Sequence, residues 1–268
     1  MITQWNFLNN FMSKKLQLKS LERLLIIMDE LREKCPWDKK QTFESLKPLT
    51  VEETYELVDA ISENNIEEIK SELGDLLLHI VFYSKIASES NKFDISDVAN
   101  AISEKLIYRH PHVYEDKLDL SDNQVKMNWE KLKLKDGKKS ILGGVPKTLP
   151  SILKSMRVLQ KASNVGFKWS SEKEAKEKVN EELNELNDEI ISGNFEKIND
   201  EFGDVLFSLI NYGKHIGINP DSSLEKANKK FIKRFMQMEK KMSEENKSFE
   251  NLSKNELYQY WKAVKKQI

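Results

Sequence analysis

Residues that interrupt helices are scarce in this sequence: nine glycines and six prolines stand among 268 residues. Runs of alternating apolar and polar residues between turn signals, the pattern typical of half-buried β-strands, are essentially missing. No apolar run approaches the roughly 20 residues that a helix needs to span a bilayer. These absences speak against all-β folds and against a membrane-spanning chain, and they favour a helical protein with short connections.

The sequence also lacks a second cysteine and an excess of charge of either sign. Cys35 alone cannot form an intramolecular disulfide, and the polar residues spread through the opening MITQWNFLNNFMSKK are not typical of a secretory signal. A formal net charge of −1 provides no broad positive field for nucleic acid or an anionic membrane. We therefore expect a cytoplasmic protein that binds neither nucleic acid nor membrane. Any polyanionic ligand must be held by local groups.

Apolar residues at spacings of three and four are present almost everywhere, and this spacing is typical of amphipathic helices. One stripe comprises Leu21, Leu24, Leu25, Met28 and Leu31, and another comprises Leu73, Leu76, Leu77, Ile80 and Val81. Because the pattern is sustained along the chain, the sequence predicts an all-α fold.

The two halves of the chain repeat one another. The segment EETYELVDAI…SELGDLLLHIV matches EELNELNDEI…DEFGDVLFSLI, so that Glu53 corresponds to Glu182, an offset of 129 positions. Such a period predicts two tandem homologous helical-bundle modules, which we place at residues 16–134 and 151–268. The stretch 135–150, rich in Gly, Lys and Pro, is the predicted linker. Residues 1–15 form an N-terminal extension whose role the sequence leaves open.

Each module carries four acidic residues within a predicted helix–turn–helix pair. They are Glu53, Glu56, Glu72 and Asp75 in the first half and Glu182, Glu185, Glu201 and Asp204 in the second. Glu185 and Glu201 lie eight residues on either side of Gly193, and Glu182 and Asp204 lie eleven. In an antiparallel pair these partners stand at equal heights above the turn, and a spacing of three keeps each pair on one helix face. The four carboxylates of each half are therefore expected to converge.

Converging carboxylates repel one another and need compensation, for which a divalent cation is the simplest source. Oxygen ligands without His or Cys favour Mg²⁺ or Mn²⁺ over zinc, so all eight acids are predicted metal ligands. A single ExxE pair could equally be two solvated acids on a helix surface. Here two acidic pairs stand at matching heights above the turn, and the arrangement occurs in both halves of the chain, which favours the metal. A di-iron bundle is disfavoured, since none of the four histidines has Glu or Asp three positions before it.

The acids form the pattern EExxE(12–28)ExxD, which begins at Glu52 and again at Glu181. Together with CPWDKKQTFESLKPLTVEETYE, RHPHVY, NVGFKW and ANKKFIKRF, the pattern resembles the all-α nucleoside triphosphate pyrophosphohydrolases, and among them the two-repeat bacterial MazG family. The resemblance covers nearly the whole chain beyond the first 15 or so residues. It implies Mg²⁺-dependent hydrolysis of nucleoside triphosphates to the monophosphate and pyrophosphate, with broad base tolerance. It also implies homodimers and a role in nucleotide-pool housekeeping.

A triphosphate needs cationic groups besides the metal. Lys230 and Arg234 are four apart on one face of a predicted helix, and Lys265 lies one turn after Trp261. By resemblance, these four residues match nucleotide-contacting positions of the family. The extra acid Glu181, or Glu52 in the first half, is a candidate to orient or deprotonate the attacking water. The predicted catalytic residues are Glu181, Glu182, Glu185, Glu201 and Asp204.

The two halves differ beside their acids. In the second half, Lys178 lies one helical turn before Glu182, and Lys197 lies one turn before Glu201. Their counterparts in the first half are Leu49 and Glu68. We expect both lysines to contact the nucleotide. The second module is therefore predicted to be the better hydrolase, while the first binds metal or nucleotide weakly or supports assembly.

Two other functions fit the same residues. One is a non-catalytic regulatory module that holds Mg²⁺ and a nucleotide, and the other is a purely structural helical scaffold. Metal-dependent release of pyrophosphate separates an enzyme from both. The preferred base and sugar, any action on ppGpp and any protein partner cannot be read from the sequence.

Overall fold

The computed structural model describes residues 2–115, 119–135 and 140–265. Within these ranges the chain forms eleven α-helices and no strand, so the predicted all-α fold is confirmed. The chain divides into two compact units, Met1–Leu118 and Asp119–Ile268. No helix in the described ranges is both long and apolar enough to cross a bilayer.

The first unit holds five helices and one short 3₁₀ segment. They are α1 (Ile2–Lys34), the 3₁₀ segment Asp38–Lys40, α2 (Phe43–Glu63), α3 (Ile66–Ser88), α4 (Ile95–Arg109) and α5 (Pro111–Tyr114). The second unit holds six helices and two 3₁₀ segments. They are α6 (Asp122–Lys135), the 3₁₀ segment Ile141–Gly144, α7 (Ser151–Asn164), α8 (Glu172–Ser192), α9 (Phe195–His215), α10 (Pro220–Glu244), the 3₁₀ segment Phe249–Asn251 and α11 (Lys254–Lys265).

One turn design closes both predicted helix pairs. After α2, Asn64 takes a left-handed conformation with φ 53°, and the side chain of Asn65 accepts a backbone N–H of α3 at 3.4 Å. After α8, Gly193 takes φ 76°, and the side chain of Asn194 accepts a backbone N–H of α9 at 3.3 Å. A left-handed residue followed by an Asn cap reverses the chain within a few residues. Each pair therefore folds back as a hairpin, with α2 packed along α3 and α8 along α9.

Each unit has its own apolar core. In the first unit, α1, α2 and α3 meet through the buried side chains of Met28, Leu46, Val81 and Phe82. In the second unit, α10 and α11 meet through Met238, Met242 and Val264. Removing such apolar surface from water contributes about 25 cal/mol per Å² and is the main term that holds helices together.

The division by packing differs from the module boundaries expected from the sequence. Helix α1 continues without a break past residue 15, where the extension was expected to end. Helix α6, expected in the first module, packs on α7 within the second unit. Residues 136–139 of the expected linker lie outside the described residues. The boundaries at 15, 134 and 150 stay predictions about the repeat.

Two methionines on α10 provide a test of the second core. Met242 is 2% exposed and Met236 is 62% exposed. We expect Met242→Ala to lower the free energy of unfolding by about 2–5 kcal/mol, because the substitution leaves a cavity. Met236→Ala should change it by less than about 0.5 kcal/mol, as is usual for surface positions. Urea unfolding followed by circular dichroism measures both, and equal losses would mean that the second core is placed wrongly.

Candidate functional site

The hairpins bring together carboxylates from both of their arms. In the second unit, oxygens of Glu182 and Glu185 on α8 and of Glu201 on α9 all lie within 4.8 Å of one another. The first unit repeats the arrangement: Glu53 and Glu56 of α2 and Glu72 of α3 satisfy the same distance. We call these sets, each with its nearby aspartate, the first and second acidic clusters. Three of the four carboxylates that were expected to converge therefore do so in each unit.

The two aspartates lie at the edge of their clusters. Asp204 is not part of the triad within 4.8 Å, but its charge acts on Glu201 and helps to raise the pKa of that carboxyl. Asp75 acts in the same way on Glu53 and Glu72. Three acids of each predicted set thus stand close together, and the fourth stands within electrostatic reach.

Three cluster acids have a raised pKa, Glu201 in the second cluster and Glu53 and Glu72 in the first. Desolvation, followed by the charges of Glu185 and Asp204, raises the pKa of Glu201 above its ordinary value. Desolvation and neighbouring carboxylates likewise raise the pKa of Glu53 and of Glu72. A group of acids with raised pKa values is a mark of functional sites, because such crowding destabilises the protein unless a cation compensates it.

The distances fit a single hard cation after a small adjustment. Mg²⁺ binds oxygen at about 2.0–2.1 Å, so ligands on opposite sides of the ion are about 4.2 Å apart. The ligand oxygens of each triad lie within 4.8 Å of one another, so they exceed that span by no more than about 0.6 Å. Carboxylates are also the ligand type that Mg²⁺ and Mn²⁺ prefer. The residues present therefore fit the predicted ion.

A lysine contacts the second cluster directly. The Lys178 ammonium lies 2.7 Å from Glu181 and 2.9 Å from the buried Glu182, and these two hydrogen bonds raise the pKa of Lys178. In the first unit the corresponding residue is Leu49, which packs against the apolar core. The second cluster therefore has a lysine ammonium beside it, at a position where the first cluster has an apolar side chain.

The other predicted lysine pairs elsewhere. Lys197 lies 3.0 Å from Glu189, which stands one turn beyond Glu185 on α8. This ion pair joins α9 to α8 at a height between the turn and the second cluster. The hydrogen bond from Lys197 lowers the pKa of Glu189. Glu189 is a residue that sequence reasoning missed. Its position four residues after Glu185 could have shown that it continues the acidic face.

The remaining cations and the tryptophan lie on α10 and α11. The Trp261 ring is 5.0 Å from the ring of Phe231, between the two helices. Nε of Arg234 is buried and has no hydrogen-bond partner in the part of the chain that the structure describes. Lys230 and Lys265 are exposed. Within the described ranges, none of these four residues has an ion pair to the second cluster, so their nucleotide contacts stay a prediction.

A cavity of about 410 Å³ lies in the second unit between α7, α9 and the segment before α8. Asn211 lines it, and the sequence analysis did not single this residue out. The repeat carried the signal: at the offset of 129 positions, Asn211 corresponds to Phe82 of the first core. An amide at a position where the sister module has a core phenylalanine is unexpected.

The crowding of the second cluster predicts that one neutral substitution stabilises the protein when no divalent ion is added. In EDTA at pH 7, Glu201→Gln should raise the thermal midpoint, because it removes one repelling charge. Since the pKa of Glu201 is raised, wild type loses stability as pH rises through that pKa, and the difference should vanish at acidic pH. Saturating Mg²⁺ should reverse the order by binding wild type more tightly.

Glu196→Gln on the same helix is the matched control, because Glu196 lies outside the cluster. It should give no such stabilisation in EDTA. Differential scanning calorimetry measures the midpoints, and a Glu201→Gln variant that is less stable than wild type in EDTA would show that the acids are already compensated.

Comparison with known proteins identifies the repeated unit. The MazG nucleotide pyrophosphohydrolase domain matches residues 41–114 and 170–238. Each match contains one complete acidic cluster, the first with Glu53 to Asp75 and the second with Glu182 to Asp204. The two tandem modules expected from the sequence are thus both recognised.

Relatives of known name match along most of the chain. A nucleoside triphosphate pyrophosphohydrolase of Escherichia coli K12 is 36% identical over 259 residues, which are 93% of this chain and 98% of the relative. The nucleoside triphosphate pyrophosphohydrolase/pyrophosphatase MazG of Thermotoga maritima is 41% identical over 249 residues, 91% of this chain and 95% of the relative. A crystal structure of a MazG-related protein from Thermotoga maritima covers 42% of this chain and 98% of its own, with 26% identity and a TM-score of 0.39. The domain matches and the two full-length relatives from Escherichia coli and Thermotoga maritima place the chain in the MazG nucleotide pyrophosphohydrolase family.

Proposed function

We propose that this chain is a cytoplasmic, Mg²⁺-dependent enzyme that hydrolyses nucleoside triphosphates to the monophosphate and pyrophosphate, with broad base tolerance, in nucleotide-pool housekeeping. The enzyme class, a nucleoside triphosphate pyrophosphohydrolase, is confirmed by membership in the family and by the relatives. The requirement for Mg²⁺, the base tolerance and the choice of the active module go beyond what membership in the family establishes. The observation that supports the metal is the acidic cluster, whose oxygens converge from two helices in each module.

The second cluster would hold the ion through Glu182, Glu185, Glu201 and Asp204. When bound, Mg²⁺ neutralises charge on the triphosphate and makes its phosphorus more electrophilic, and Mn²⁺ can do the same. The hairpin fixes the four side chains from both arms, so that the ligand positions are set before substrate arrives. This preorganisation is the main contribution of the fold to such chemistry.

Glu181 is our candidate to orient the attacking water. Its carboxylate is exposed and adjoins Glu182, and its hydrogen bond from Lys178 at 2.7 Å restricts its position. The water oxygen would attack the α-phosphorus, its proton would pass to Glu181, and the bond to the bridging oxygen of the leaving pyrophosphate would break. Lys178, Lys197, Lys230, Arg234 and Lys265 are the proposed sources of positive charge, with Trp261 as a further contact to the nucleotide.

The second module is proposed to carry most of the turnover. Lys178 supports this assignment because it touches the second cluster, whereas Leu49 in the first module cannot pair with a phosphate. The first cluster keeps the metal geometry through Glu53, Glu56 and Glu72. This combination favours a second candidate function for the first module, namely the binding of Mg²⁺ or nucleotide without turnover.

A homodimer is proposed from the apolar surface of the hairpins. On α8 and α9 the exposed apolar side chains include Leu183, Ile190, Ile191, Phe195, Phe202 and Leu206. Exposed apolar surface on this scale marks an interaction site in soluble proteins. Closed pairs of identical chains are the commonest way to cover such a surface.

Substitutions at corresponding positions of the two modules test which module carries the turnover. In the full-length protein, Glu201→Ala should lower Mg²⁺-dependent pyrophosphate release from a mixture of nucleoside triphosphates by about 100-fold or more, because it removes a ligand of the ion. Glu72→Ala, the corresponding change in the first module, should leave the rate close to that of wild type. Release is measured by a coupled phosphate assay after pyrophosphatase treatment, with helical content checked by circular dichroism.

Two results would contradict the proposal. Equal losses in the two variants would assign turnover to both modules. Nucleotide binding that needs Mg²⁺, without any pyrophosphate release by wild type, would instead favour a regulatory protein.

A further inference from the structure

A cavity separate from the acidic clusters lies between α7, the end of α9 and the start of α10. Its volume of about 540 Å³ falls within the range of about 300–1,000 Å³ that is usual for ligand pockets. Its apolar wall consists of Leu153, Met156, Leu159, Ile210, Ile218 and Pro220. Among the described residues that line it, Arg157 and Lys214 are charged and none is acidic. We call this space the α7–α10 cavity.

The two cations of the α7–α10 cavity have neutral partners. Nη1 of Arg157 donates to the side-chain oxygen of Gln160 at 2.6 Å, and Nζ of Lys214 donates to the backbone carbonyl of Leu159 at 3.2 Å. Within the described ranges, neither side chain forms an ion pair with a carboxylate. Helix α7, with the sequence SILKSMRVLQKASN, itself has no Asp or Glu. Two positive charges therefore line this space without a negative charge to balance them.

Desolvation makes the charge of Lys214 costly. It lowers the pKa of Lys214, and the neighbouring charge of Lys168 lowers that pKa further. An anion close to the ammonium would favour its charged form and offset this effect. Since the apolar wall excludes water from one side, the attraction between such an anion and the two cations is stronger than it would be in bulk solvent.

The first module balances the corresponding charge with an acid of its own. At the offset of 129 positions Lys214 corresponds to Lys85, whose Nζ lies 2.6 Å from a carboxylate oxygen of Asp29 on α1. Lys85, Asp29 and Asp94 line a cavity of only about 180 Å³. The second module thus has a larger space beside its lysine and lacks the carboxylate. A carboxylate from outside the chain can take the equivalent position.

We propose that the α7–α10 cavity binds a small carboxylate with an aliphatic body. The carboxylate accepts hydrogen bonds from Lys214 and Arg157, and the aliphatic body packs along the apolar wall. Lys214 follows Asp204 by ten residues on α9, a rise of about 15 Å, so this ligand and the proposed metal occupy different places. Straight-chain carboxylates of lipid origin and short branched ones derived from amino acids share this chemistry.

The binding experiment uses the full chain, and isothermal titration calorimetry measures each affinity. Octanoate and 4-methylpentanoate represent the two sources, and the one that binds more tightly identifies the source. Its matching amide has the same body without the charge, and acetate has the charge without the body. The tighter carboxylate should bind about tenfold or more tightly than its amide and than acetate, since a hydrogen bond to a charged group adds affinity.

Two substitutions test the cations of the cavity. Gln160→Glu keeps the shape of the side chain but places a carboxylate against Arg157, so it should weaken the binding of the carboxylate by about tenfold. Lys214→Met removes the ammonium and should weaken binding at least as much. Lys173→Met makes the same change of charge at a side chain on α8 that is 86% exposed, and it should leave the affinity unchanged. Circular dichroism checks that each variant is folded.

Four results would overturn the proposed site. They are the absence of binding by either carboxylate, an amide that binds as tightly as its carboxylate, acetate that does the same, and unchanged affinities in both Gln160→Glu and Lys214→Met. An equally tight amide would mean an apolar groove that does not recognise charge, and unchanged variants would mean that the ligand binds elsewhere. None of these measurements involves pyrophosphate release, so a failure of the proposed function would leave the carboxylate site standing.

Discussion

The repulsion between carboxylates held on two arms of a helical hairpin is the constraint on which the rest of this structure depends. Ionised side chains so close together are stable only if something opposes their mutual repulsion. The hairpin holds them there because its turn is short and its arms are packed along their length. The raised pKa of Glu201 records the cost of this arrangement in the absence of an ion. Binding of the proposed cation would offset this cost.

The two modules show which parts of this arrangement can vary. Both keep the turn and the converging acids, which are the parts that the proposed metal would need. They differ at Lys178 and Asn211, for which the first module has Leu49 and Phe82. Each of these two replacements exchanges a polar group beside the site for an apolar side chain in a core. In the proposed scheme such a change would favour stability over nucleotide binding, a trade that is common in proteins.

Much of the fold and the acidic geometry could be predicted from the sequence, for a physical reason. Helical periodicity and height above a turn are local properties, so Glu185 and Glu201 could be paired by counting residues from Gly193. The partner of Lys197 could not be predicted in this way. Its long, flexible side chain can reach several acids, and local packing decides which of them it pairs with. The position of α6 depends on which apolar face it meets, and that is a long-range property. The repeat marks the position of Asn211, which corresponds to Phe82, but a cavity is an absence of atoms and depends on how distant helices pack.

The ion pair between Lys178 and Glu182 couples the metal to the substrate in the proposed reaction. An ion that arrives alone would compete with the ammonium for Glu182 and would leave that ammonium without a partner. An ion that arrives with a triphosphate brings anionic oxygens, which the displaced ammonium can meet at once. In the proposed reaction the second cluster would therefore favour the metal–nucleotide complex over the bare ion. The first cluster has Leu49 at this position and lacks this coupling, so in the proposed scheme the two sets of four acids would serve two different equilibria within one chain.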